Sequence, residues 1–171
     1  MANIYDILKE KIESNKNIDI NYNRDNQITL NSFCVEQDIR KQDVTSKVSQ
    51  VSSISIVRKK MVEKQREIAR NIDCVIEGRD IGSVVFPNAE FKFYLDAKAE
   101  IRAARRLKEL TNQDKSVTLD DLITQIKRRD FLDTNRKISP LIRTKEAIVI
   151  DTSSMDVDEQ IEQIVKIINN K

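Results

Sequence analysis

Histidine is missing from the 171 residues. Without it, neither a Ser-His-Asp nor a Cys-His nucleophile can be assembled, and no metal can be held by imidazole. Glycine is almost as scarce, with Gly78 and Gly82 alone. A backbone cradle for phosphate of the form G-x-x-x-x-G-K-[ST] needs a different spacing and a Gly-Lys pair, so this chain contains no such loop. Cysteine is limited to Cys34 and Cys74, each within an apolar run. Neither belongs to a CxxC redox or zinc motif, and both are expected to be reduced thiols in the core. No stretch approaches the ~18 consecutive apolar residues of a membrane span. Residues 1–13 mix charges without the basic, apolar and small-residue order of a signal peptide. The expectation is a cytoplasmic protein with no membrane partner.

Hydrophobic residues make up 39% and charged residues 34%, enough apolar content for one domain or one domain with a small appendage. Lys and Arg number 30 against 28 Asp and Glu, a net charge of +2. So even a balance gives no reason to invoke nucleic acid as a partner. Any anion must be bound by local placement of arginine.

Ile4, Ile7, Leu8 and Ile12 recur at helical spacing and predict a helix over residues 3–14. The period then changes. Ile18, Ile20 and Tyr22 alternate, Asn23-Arg24-Asp25-Asn26 is turn chemistry, and Ile28 and Leu30 alternate before Phe33 and Val35. This predicts a three-stranded antiparallel meander. From Val44 the helical period returns through Ile68, as two helices with a bend at Ser52–Ser55.

Beyond residue 70, short apolar runs alternate with helical patterns. Strands are expected at Cys74-Val75-Ile76, at 91–95 and at 147–151. Asp96 is placed to cap a helix reaching Leu110. Thr118-x-x-Asp121 and Asp156-x-x-Glu159 have the form of capping boxes opening two more helices, the first reaching about Asp130. Strands alternating with helices predict an α/β fold with a parallel sheet and a small α+β insertion.

Three clusters carry unusual polar content. Glu77-Gly78-Arg79-Asp80-Ile81-Gly82 follows an apolar run, where open parallel sheets bind ligands, although a structural turn with an ion pair would read alike. Arg129, Asp133 and Arg136 stand at i, i+4 and i+7. If the helix continues they share a face and form a fork for phosphate or a sugar hydroxyl; a salt-bridged solvated face is the alternative. Arg102 and Arg106 share a face of the helix after residue 96, suited to polyphosphate but also ordinary on a helix surface.

Taken together, the sequence resembles the bacterial cytidylate kinases. The resemblance rests on Val48-Ser49-Gln50-Val51, Val57-Arg58, the run from Glu77 through Asp80 and Gly82 to Pro87, and Phe93-Tyr94-Leu95-Asp96-Ala97. It continues through Arg102-Ala103 with Arg105-Arg106, Arg129-Asp130, Asp133-x-Asn135-Arg136 and Ser139-Pro140-Leu141. It implies ATP-dependent phosphorylation of CMP or dCMP, with Mg²⁺, by a cytoplasmic monomer. It also implies a three-layer, P-loop-kinase-like parallel sheet flanked by helices. By that resemblance Ser49, Arg58 and Asp80 read the cytosine edge, Arg129 and Asp133 contact the sugar, and Arg79 and Arg136 hold the acceptor phosphate. Arg102 and Arg106 belong to a lid over ATP at about 103–118. Residues 17–70 form the CMP-binding insertion, residues 1–16 a residual core helix and residues 71–171 the α/β core.

Family members open with a strand and a Gly-rich loop bearing a Lys, neither of which occurs among these residues. The chain is therefore read as lacking the first strand and P-loop and as catalytically incomplete, with no residue assigned to the chemical step. A non-catalytic CMP-binding module or one half of a split kinase is the alternative.

Overall fold

A computed structural model describes residues 18–41, 44, 47–110 and 117–170. The helix expected over 3–14 and residues 111–116 of the expected lid lie outside the described residues. The chain divides into two compact units between Glu77 and Gly78.

In the first unit, β1 (Ile20–Tyr22), β2 (Ile28–Leu30) and β3 (Phe33–Cys34) form an antiparallel sheet in the order β1-β2-β3. Ile20 pairs with Leu30, and Leu30 with Phe33. Its first turn is built by Asn23, whose side-chain oxygen accepts from the backbone N–H of Asp25 at 3.0 Å and of Gln27 at 2.8 Å. The second turn is Asn31-Ser32, with φ of 50° and 68°, the left-handed pair whose twist matches that of two antiparallel strands. Helices α1 (Val48–Ser52) and α2 (Ser55–Ile68) follow. They are broken at the expected place, where the Ser53 hydroxyl donates to the Gln50 carbonyl at 2.7 Å. Val62 of α2 is buried.

In the second unit, β4 (Phe93–Asp96) and β5 (Ile148–Asp151) pair in parallel, from Phe93 against Ile148 to Asp96 against Asp151. Between them run α3 (Ala99–Leu110) and α4 (Leu119–Asn135), which pack on each other; α5 (Val157–Asn169) follows. Among the described residues of this unit, Val85, Ala103, Leu122 and Ile150 are the buried apolar ones. Both capping boxes are reciprocal. The Thr118 hydroxyl accepts from the Asp121 N–H at 3.2 Å, and the Asp121 carboxylate accepts from the Thr118 N–H at 3.3 Å. Asp156 and Glu159 exchange the same pair of bonds at 2.9 Å each. No helix among the described residues is long and apolar enough to cross a membrane.

Three expectations are corrected. Residues 74–76 form no strand: no described strand pairs with them, and Val75 is 99% exposed. An apolar run records composition, whereas a strand requires a hydrogen-bonding neighbour. Cys74, in that run, is exposed, and so is Cys34 on β3, at the edge of its sheet; neither is a core thiol. Asp96 does not cap α3. It ends β4, and its carbonyl accepts from both the N–H and the hydroxyl of Thr152, at 2.8 and 3.0 Å; the helix begins three residues later.

Candidate functional site

The polar turn after the first unit starts at Gly78, where a Cβ would sit 2.8 Å from the Ile81 side chain, so the close return of the chain favours glycine. The segment Ile81–Val85 then winds as a single π-turn, with the Phe86 N–H donating to the Ile81 carbonyl at 2.7 Å. Such wide turns are rare and recur at functional sites. Asp80 stands at its start with 4% of its surface exposed. Arg79 precedes it, half-buried.

The second contribution comes from α4, which continues past Asp130 to Asn135. Arg129 and Asp133 therefore lie one turn apart on one side, and Arg136 is the residue that ends the helix. The end is anchored twice: the Leu141 N–H donates to the Asp133 carbonyl at 2.8 Å, and Arg136 Nε donates to the Ser139 carbonyl. Ser139 has φ of 51°, an uncommon conformation for a serine, immediately before Pro140. The sharp exit holds Arg136 back over the helix end.

These pieces meet. Asp133, 4% exposed, lies 3.2 Å from Arg79 Nε, 3.8 Å from Arg129 Nε and 3.7 Å from Arg136 Nη1. Arg136 Nη2 is 3.9 Å from Asp80 Oδ1. Asp130 lies 3.4 Å from Arg79 Nη1 and 2.6 Å from Arg102 Nη2. The hydrogen bond to Asp130 raises the pKa of the Arg102 guanidinium above its ordinary value, and the carboxylates of Asp130 and Asp96 add to this against the opposing effect of burial. Four guanidinium groups thus face three carboxylates, which leaves the cluster one positive charge in excess. The ion pairs of Asp133, at 3.2 to 3.8 Å, are longer than the ~2.8 Å of a charge-assisted hydrogen bond and act chiefly by balancing charge. A planar fork of this kind suits a phosphate or a pair of sugar hydroxyls.

Arg79, Asp80, Arg129, Asp133 and Arg136 are brought together in this way, and Arg102 joins them through Asp130. Arg106 does not join. It is exposed and pairs with Glu109 at 3.0 Å. Ser49 lies in α1 and Arg58 in the first turns of α2, both in the first unit. An open cavity of about 600 Å³ lined by Gly82, Ser83, Lys92, Thr144 and Glu146, among others, contains none of the arginines of the cluster. Two residues quoted for the resemblance were given no role of their own. Asp130 was visible as one of the two acidic residues within the arginine-rich stretch 128–136. Arg105 donates to the carbonyls of Thr152 and Met155, contacts that its place in the Arg102–Arg106 motif did not reveal.

Compared with known proteins, residues 3–170 match the family model described as cytidylate kinase. The chain belongs to the cytidylate kinase family. It is 42% identical over 161 residues to a cytidylate kinase of Clostridioides difficile (strain 630), covering 94% of this chain and 74% of that relative. It is 42% identical over 144 residues to one from Flavobacterium psychrophilum, covering 84% of this chain and 64% of the relative. With one from Desulforamulus reducens it shares 45% over 138 residues, 81% of this chain and 62% of the relative. The resemblance drawn from the arginine and glycine motifs therefore holds, and with it the reading of the chain as a member of a kinase family. The α/β architecture with a parallel sheet agrees with the family.

Proposed function

We propose that the arginine–carboxylate cluster is the acceptor half of a phosphotransfer site that takes CMP or dCMP to the diphosphate at the expense of ATP. The observation that carries this reading is the meeting of Arg79, Arg129 and Arg136 at the buried Asp133, with Asp80 beside Arg136. Arg79 and Arg136 hold the acceptor phosphate. Their charge offsets the repulsion that the oxygen of one phosphate meets on approaching another, which is the main task in this chemistry. Arg129 and Asp133 take the sugar hydroxyls. Asp80 accepts from the exocyclic amine of cytosine.

Within the family's three-layer architecture, residues 17–70 are the nucleotide-binding insertion and 71–171 the core, with the lid at 103–118. Membership of this family implies ATP and Mg²⁺. Among the described residues no group of three or more acidic or cysteine side chains could hold a metal ion, and the sequence has no phosphate loop. What the described residues support is acceptor chemistry. A match to kinases along residues 3–170 supports the kinase reading over a non-catalytic CMP-binding module or half of a split kinase.

Titration calorimetry tests the acceptor reading. The unaltered chain is expected to take up CMP. Arg136→Lys, which loses the planar fork, should weaken that uptake about tenfold while leaving cytidine uptake unchanged. No CMP uptake by the unaltered chain, or equal uptake by the variant, refutes it.

A further inference from the structure

Asp130 has no part in the roles assigned above, yet its two carboxylate oxygens are hydrogen-bonded to two different arginines. Its Oδ1 accepts from Arg79 Nη1 at 3.4 Å and its Oδ2 from Arg102 Nη2 at 2.6 Å. Arg79 reaches it from the turn after Gly78, 51 residues away in sequence, and Arg102 from α3, 28 residues away. Arg102 is further fixed by donating Nε to the Ala97 carbonyl at 3.0 Å. Asp133, one helical turn beyond Asp130 on α4, meets the Nε edge of Arg79 at 3.2 Å. Two carboxylates of one helix thus take two edges of a single guanidinium. The Asp130 contact is a hydrogen bond and the Asp133 contact an ion pair, and between them they bracket the plane of the guanidinium.

Resting on the acceptor reading, we infer that Asp130 is a positioning residue. It sets the plane of the phosphate-holding Arg79 and ties that arginine to Arg102, so that α3, α4 and the Gly78 turn act as one unit around the acceptor phosphate. Asp130 itself does not touch the nucleotide. Its removal should be felt through Arg79 alone, at the phosphate and not at the base or sugar. With 28% of its side chain exposed, Asp130 can lose its charge without collapse of the fold.

The test uses the full chain, its Asp130→Asn variant and the conservative Asp130→Glu, with two readouts. Side-chain NMR of the arginine Nε–H groups, recorded without nucleotide, should show the Arg79 and Arg102 signals both shifted in Asp130→Asn. Calorimetry should then show CMP bound about tenfold more weakly by Asp130→Asn, with cytidine affinity unchanged and CMP affinity partly restored in Asp130→Glu. Equal losses for CMP and cytidine would reveal a merely structural role and overturn the inference, as would Nε–H signals that do not move. If the unaltered chain binds no CMP, the acceptor reading falls and the positioning role with it. Normal CMP binding by Asp130→Asn overturns the positioning role and leaves the acceptor reading standing.

Discussion

Replacing Asp133 by Asn removes one negative charge from beneath three guanidinium groups at nearly constant volume. Side-chain exposure at this position is 5%, and the nearest cationic nitrogens lie 3.2, 3.7 and 3.8 Å away. Stranding a buried charge with no partner costs about 3–5 kcal/mol. The cost here is smaller because each arginine keeps a second recourse. Arg79 retains Asp130, Arg136 retains Asp80, and Arg129, with 56% of its side chain exposed, is hydrated. A loss of about 2–3 kcal/mol is expected, which for a chain of this size lowers the melting temperature by about 5–10 °C.

The direction of the phosphate effect separates this explanation from simple misfolding. Asp133→Asn raises the net charge of the cluster, so a bound anion should stabilise the variant more than the unaltered chain. Melting curves followed by circular dichroism in about 50 mM phosphate, against chloride of equal ionic strength, should bring the two proteins closer together. A variant melting within about 1 °C of the unaltered chain in chloride refutes the energetic reasoning. An equal phosphate effect in both proteins refutes the claim that the cluster is an anion site.

Asp156→Ala removes the N-cap of α5, where the Asp156 carboxylate accepts from the Glu159 N–H at 2.9 Å, and should cost about 1 kcal/mol by urea titration. Unchanged stability would mean that this end of α5 contributes nothing to the cooperative unit. In acid, the Asp121 carboxyl is held below its ordinary value of 3.8 by hydrogen bonds from the Thr118 hydroxyl and then the Thr118 N–H, and Glu100 below 4.5 by its bond from Lys127. Such groups bind protons more readily in the unfolded chain, so their contribution is complete above the ordinary carboxylate range and is lost as pH falls through the lowered folded values. Asp121→Asn should therefore flatten the fall in stability below about pH 4, as followed by thermal melts; an unaltered slope would count against the capping assignment.

What was legible in the sequence was local. Asn23 announces the first turn by its own chemistry, and the two capping boxes put the starts of α4 and α5 at Leu119 and Val157, because a cap and its partner stand three residues apart. The pairing of Ile20 with Leu30 follows from alternation joined to a short turn. The failures were non-local. Residues 74–76 have the composition of a strand, but strand formation depends on a neighbour that composition does not reveal. Asp96 stands before a helical pattern like a cap, yet its carbonyl is held by Thr152, 56 residues further on, which keeps it in β4. Cys34 and Cys74 illustrate the same limit, since apolar neighbours in sequence do not bury a side chain in space.

The candidate site belongs to both classes. Arg129 and Asp133 can be placed on one face from spacing alone, but only if α4 runs at least to residue 133, and nothing in the run from Asp130 to Asn135 marks where it ends. The ending is set instead by Leu141 and Ser139, which fold back on the Asp133 carbonyl and on Arg136. If α4 stopped at Asp130, Asp133 and Arg136 would lie in a loop and the fork would lose its rigid base. Arg79 enters from another part of the chain, and its meeting with Asp130 and Asp133 gives the stretch of alternating charges its direction. On an isolated helix the same residues would pair among themselves as i, i+4 neighbours, each worth a few tenths of a kcal/mol. Docked against the Gly78 turn, the buried Asp133 holds three arginines at once, and that junction turns an ordinary charged helix face into a site able to receive a phosphate.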